Sequence, residues 1–177
     1  MKEFFIVRSA DNVVIRHFLG PEKFADQQVL EGEYLVPLPD DFVFEPAANY
    51  VHDPDTGEIT SEDNLGALRA YAIEAMTQAC SAEIISGFSS SATGTSFHYP
   101  SLDTDQVNMG QVAIAGGKLW VMDGSESWSL LDHTATEGAT VMGDFVSFRN
   151  SAQDNLVTKI ASINAATTKE EIDAIVW

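Results

Sequence analysis

The sequence predicts an α+β protein: a small β-rich module over residues 1–61, then an α+β domain with a helical hairpin over 62–177. Three observations predict it. The first sixty residues alternate short apolar runs with turn formers, later stretches repeat apolar residues at helical spacing, and an Asp-Gly pair separates two Trp-bearing runs.

Phe4 to Val7 and Val13 to Phe18 flank the polar Ser9-Ala10-Asp11-Asn12, which reads as a hairpin closed by Leu19-Gly20-Pro21. The prolines between Pro37 and Pro46 argue against regular structure. Asn49 to His52 and Glu58 to Thr60 then sit on either side of Asp53-Pro54-Asp55-Thr56-Gly57, a second hairpin signal with Pro and Gly placed as turns require.

At Thr60 the pattern changes. Thr60 and Asp63 stand three apart like a capping box, and Leu65, Leu68, Ala72, Met76 and Ala79 follow at steps that define one buried helix face, with Gly87 as the stop. Ser86 to Pro100 is rich in Ser, Thr and Gly, and reads as a loop or irregular hairpin. Asp103, three before Gln106, opens a short helix running to about Gly116.

Leu119 to Met122 and Trp128 to Leu131 flank Asp123-Gly124-Ser125-Glu126, the strongest hairpin signal in the chain, which makes Trp120 and Trp128 cross-strand or same-face partners. Thr134 and Glu137 form a second capping box before Val141, Phe145, Phe148, Ala152, Leu156, Ile160 and Ile163. Unbroken to Asn164, this helix is about 45 Å long. Gly138 and Gly143 weaken its first turns by up to ~1 kcal/mol each, which places its effective start near Val141. Thr168 and Glu171 open a last short helix through Ile172 and Ile175, and Trp177 is expected to dock on the long helix or on a partner chain.

Composition excludes several functions. The 177 residues carry 27 acidic and nine basic side chains, a net charge of −18, and no two basic residues are adjacent. A nucleic-acid backbone needs clustered Lys and Arg, and anionic membranes need the same, so neither is an expected partner. The charge fits solubility, or a high-salt habitat. With one cysteine, Cys80, no internal disulfide forms, and its place in a predicted amphipathic helix marks it as a small core residue. Met1 to Arg8 carries charges where a leader needs an apolar run, and no stretch approaches the ~20 apolar residues of a membrane span, so synthesis in a cytoplasm without membrane insertion is expected.

The search for chemistry yields no catalytic, metal or cofactor site. His17, His52, His98 and His133 lack a second ligand at helical metal spacing. Asp53 to Glu58 superficially resembles a calcium loop, but Gly57, Glu58 and Asn64 stand at its fifth, sixth and twelfth positions, where other residues are required. Ser91 replaces the second glycine of a nucleophile elbow in Gly87-Phe88-Ser89-Ser90-Ser91, and Gly116-Gly117-Lys118-Leu119 lacks the first glycine and the hydroxyl of a phosphate loop. A triad of Ser89 to Ser91 with His98 is possible only as it would be in any Ser-rich acidic chain, and a solvated loop is the better reading. Phe97, Tyr99, Trp120 and Trp128 suit either a carbohydrate-binding surface or a core, and a core is the better reading.

One stretch carries a family likeness. Gly87 to Met109 resembles a segment of phage tail-fibre and tail-fibre-assembly proteins of the DUF4376 type, on Gly87, Phe88, Ala92, Gly94, Phe97, Tyr99, Asp105, Gln106, Asn108 and Met109. The hairpin with Trp120, Asp123 and Gly124, His133-Thr134-Ala135 before a long helix, and the final helix match in order. The likeness spans about half the chain, and its motif residues read as structural, with Trp128 and Trp177 as candidate interface residues.

What the resemblance implies is a virion protein of the tail, made in the host cytoplasm, with other tail or fibre proteins as partners and a homotrimer in the particle. It would be a permanent component of the tail tip or baseplate linked to the receptor-binding fibre, or an assembly chaperone that leaves. A third reading, from another class, is a carbohydrate-binding or polysaccharide-cleaving tail protein using paired carboxylates. The chain is short for the repeated β architecture of such enzymes.

Overall fold

Four consecutive apolar residues, Phe4 to Val7, cannot all be buried in a strand with one face in water, and they form a central strand instead. In the computed structural model, which describes residues 1–45 and 47–177, all four are at most 3% exposed in β1 (Lys2–Arg8). β1 pairs antiparallel on one side with β2 (Val14–Gly20) and on the other with β3 (Glu33–Pro37). Two short 3-10 turns, Glu22–Phe24 and Asp26–Gln28, link β2 to β3. The proline-rich expectation needs one correction, since Pro37 ends β3 opposite Phe4. An edge strand tolerates a residue without an N–H. Residues 38–45 lie outside regular elements, and Pro46 falls outside the described residues.

β4 (Ala48–His52) and β5 (Ile59–Asp63) form the second expected hairpin. Its turn is held by the Asp53 carboxylate, which accepts the amides of Asp55 at 2.8 Å and Thr56 at 3.2 Å. Phe5, Val7, Val36, Leu38 and Tyr50 make the core of this region, with Phe5 meeting Phe42 edge-on at 5.3 Å.

The capping box expected at Thr60 and Asp63 does not form. Thr60 is paired with Val51 in the ladder, and the helix is capped by Asn64, whose Oδ1 accepts the Ala67 amide at 3.0 Å. α1 (Leu65–Ile85) therefore starts later than expected. Its stripe is also less buried than expected: Leu65, Leu68, Ala72, Met76 and Ala79 are all half-buried, and Cys80 is the residue of α1 that is fully enclosed. The chain divides within this helix into two compact units, Met1–Ala70 with Thr167–Lys169, and Tyr71–Ala166 with Glu170–Trp177.

The second unit holds β6 (Phe88–Ser90), β7 (Phe97–Tyr99), α2 (Asp103–Ala115), β8 (Gly117–Met122), β9 (Trp128–His133), α3 (Ala135–Ala165) and, from Glu170 on, α4 (Lys169–Asp173). The four strands form one antiparallel sheet in chain order. Phe88, Tyr99, Leu119 and Val121 from the sheet meet Met109 and Val112 of α2 and Val141 and Phe145 of α3 in one core. The fold class is α+β, as the sequence predicts.

Two helix starts differ from expectation. Asp103 is the first residue of α2 and caps nothing, while Asp105 at the third position accepts the Leu102 amide at 3.1 Å. α3 begins at Ala135, before Val141, because the Thr134–Glu137 box forms: Thr134 Oγ1 accepts the Glu137 amide at 3.2 Å and Glu137 Oε2 accepts that of Thr134 at 2.7 Å. Gly138 is buried against α2, where a Cβ would lie 2.7 Å from the carbonyl carbon and oxygen of Val112. The glycine permits a close helix crossing and does not mark a frayed end. α4 stops at Asp173, short of Ile175. Among the described residues no helix is long and apolar enough to cross a membrane.

Candidate functional site

Alternation along β8 and β9 sorts their side chains into two sets. Leu119, Val121, Leu131 and His133 turn toward the helices. Lys118, Trp120 and Met122, opposite Asp132, Leu130 and Trp128, occupy the outer face. There Trp120, Trp128 and Leu130 are each 49% exposed, so the expectation that both tryptophans belong to the core is corrected. Both sets are apolar, and periodicity alone does not say which one faces in. The two indoles lie diagonally on one face, Trp128 meets the His98 ring edge-on at 6.2 Å, and Lys118 Nζ reaches Asp132 Oδ2 at 3.2 Å.

Beside this face the sheet opens. β7 and β8 pair at a single position, His98 with Met122. Asp123 donates its amide to the Ser127 carbonyl at 3.1 Å, and ladder alternation then directs the main-chain groups of Lys118, Trp120 and Met122 toward β7. Met122 meets His98 there. The next position opposite Trp120 falls to Pro100, which has no N–H to give, and the strands part. The resulting cleft, of about 120 Å³, is bounded by Tyr99, Pro100, Met109 and Leu119, by Asp105 and Asn108 from α2, and by Lys118, Trp120 and Leu130 from the sheet. Asp105 and Asn108 stand three apart on one side of the helix.

The cleft rests on a fixed core residue. Tyr99 Oη lies 2.9 Å from His133 Nε2, while His133 Nδ1 lies 2.9 Å from the Leu131 carbonyl oxygen. A carbonyl only accepts, so in the neutral ring Nδ1 carries the hydrogen and the tyrosine hydroxyl donates to Nε2. Burial, and then the negative charges of Glu137 and Asp144, push the Tyr99 hydroxyl up to about 12.

Of the residues singled out in the sequence, Tyr99, Asp105, Asn108, Met109 and Trp120 meet at the cleft. Others support it from the core. Phe88 stacks on Tyr99 at 5.7 Å, Phe97 and Ala92 pack against the same cluster, and Gln106 donates to the Ser101 carbonyl at 2.9 Å. Gly87 has a φ of 99° and gives its amide to Ser101 Oγ at 2.9 Å; a Cβ there would strike the His98 ring and the Tyr99 carbonyl oxygen. Gly94 turns the β6–β7 connection with a φ of 85°.

Asp123 and Gly124 lie in the β8–β9 turn, where Asp123 Oδ1 accepts from the amides of Ser125 at 2.8 Å and Ser127 at 3.1 Å. The Trp177 indole Nε1 donates to Glu83 Oε2 of α1 at 2.7 Å, a contact with α1 that the sequence reading did not include. Ser90, read as part of a solvated loop, is buried in β6 and donates to Asp144. Pro100, Lys118, Leu119 and Leu130 are the cleft residues that sequence reasoning missed. Lys118 and Leu130 were traceable in part, because they stand two positions from Trp120 and Trp128 and so share their strand face. No family model, curated protein or solved structure matches this chain.

Proposed function

We propose that this chain is a non-enzymatic binding protein of a bacteriophage tail, a virion component of the tail tip or baseplate that links to, or forms part of, the receptor-binding fibre apparatus. The observation that carries the reading is the outer face of the β8–β9 hairpin. Two half-exposed indoles and a leucine on a rigid hairpin are the side chains that anchor protein interfaces, because they desolvate a large area with few rotors to freeze. The likeness of Gly87–Met109 to tail-fibre proteins supplies the setting. The net charge of −18 supports protein partners over DNA, with a trimer as the assembled form.

The test is mass spectrometry of purified phage particles encoding this chain, quantified against the major tail protein. A few copies per particle are expected. Abundance in infected lysate with absence from particles would sink the structural role and favour the assembly chaperone.

A further inference from the structure

We propose that the cleft between α2 and β8 binds one neutral pyranose ring, stacked on Trp120 and hydrogen-bonded by Asn108 and Asp105. The inference does not depend on the tail reading, and each can fail without the other.

The chemistry of the lining carries it. The Trp120 indole is half open at the cleft wall with Leu130 beside it. The C–H groups of a sugar ring, made positive by their oxygens, pair with the negative face of an indole. A sugar also needs donors and acceptors for its hydroxyls. The Asn108 amide offers both and makes no hydrogen bond within the described residues. Asp105 uses Oδ2 to accept the Leu102 amide, which fixes the carboxylate and leaves Oδ1 as an acceptor. The main-chain groups of Lys118, directed away from β9, add a third polar element.

Size decides how many rings fit. At about 120 Å³ the cleft is far above the roughly 10–15 Å³ that admits a single water, yet small for a sugar site, so one ring is the occupant proposed. A second ring would lie in solvent. Charge decides which sugars fit. Within the cleft the single cation, Lys118, is paired with Asp132, and Asp105 is a fixed carboxylate in a protein of charge −18. Uronates and sialic acids are therefore repelled.

Methyl β-D-glucopyranoside and methyl β-D-galactopyranoside, titrated into the full-length ¹⁵N-labelled chain, test this directly. The expected result with at least one of them is saturable movement of the Trp120 indole N–H and Asn108 side-chain amide signals, with a Kd on the order of 1 mM. Trp120→Ala is expected to weaken binding about tenfold, and Asn108→Ala, an exposed position that leaves the fold intact, about three- to tenfold. Glucuronate should not saturate. No saturable movement with either glycoside, affinity unchanged in both variants, or glucuronate binding as tightly as the neutral sugars would overturn the proposal.

Discussion

Tyr99 gives its hydroxyl hydrogen to Nε2 of His133, joining β7 to the last residue of β9 and to the position just before the cap of α3. The protonated tyrosine is thus the form that the fold selects. With its hydroxyl raised from 10.0 to about 12, the unfolded chain loses this proton first as pH rises. The contribution is whole below pH 10 and is lost as pH climbs toward 12, at about 1.4 kcal/mol per unit. Urea unfolding from pH 9 to 12 should show this decline. Tyr99→Phe should lose it, and should already cost about 1–3 kcal/mol at neutral pH by leaving His133 Nε2 without its donor. An identical alkaline slope in both proteins would refute the assignment.

Two glycines of α3 should respond to alanine with opposite sign. At Gly143 nothing lies within 4 Å of an added Cβ, so Gly143→Ala is expected to stabilise by up to ~1 kcal/mol through helix propensity. At Gly138 the added carbon meets the Val112 main chain, which cannot swing aside, so Gly138→Ala is expected to destabilise by about 1–3 kcal/mol despite the same propensity gain. Denaturation midpoints of the two variants decide the matter.

Asn64, not Thr60, should govern the start of α1. Asn64→Ala removes the acceptor for the Ala67 amide and is expected to cost about 1 kcal/mol, whereas Asn64→Asp keeps that acceptor. Helix content by circular dichroism should fall in the first and hold in the second. Thr60→Ala should leave α1 intact, and a loss of helix in that variant would contradict the capping described here.

Acid should loosen the start of α3. Hydrogen bonds from the Thr134 amide, and then from its hydroxyl, hold the Glu137 carboxyl below its usual 4.5. A depressed carboxylate contributes stability above its unfolded value and loses it as pH falls through the folded one. Unfolding monitored from pH 6 to 3 should therefore show a shallower acid limb in Glu137→Gln than in the parent.

Local chemistry was legible and non-local chemistry was not. The hairpin at Asp123-Gly124, the Asp53 turn and the Thr134–Glu137 box are each decided within a few residues, and each is read correctly from the sequence. Thr60-x-x-Asp63 misleads because β4, several residues upstream, claims those positions as a strand. Trp120 misleads because Leu119 and Val121 are apolar as well, and only the helices packed on the sheet decide which set is inside. Tyr99, Asp105, Asn108 and Trp120 were each marked in the sequence. Their meeting at one cleft depends on where β7 and β8 part, which rests on the absent N–H of Pro100.

The bond from Trp177 to Glu83 spans 94 positions. At roughly 5–20 residues per second, a translating ribosome needs about 5–20 s to deliver that indole after α1 has been made. Through that interval the C-terminal end of α1, at Glu83, lacks this tertiary contact, and this end of the second unit closes only after the strands and α3 have left the ribosome.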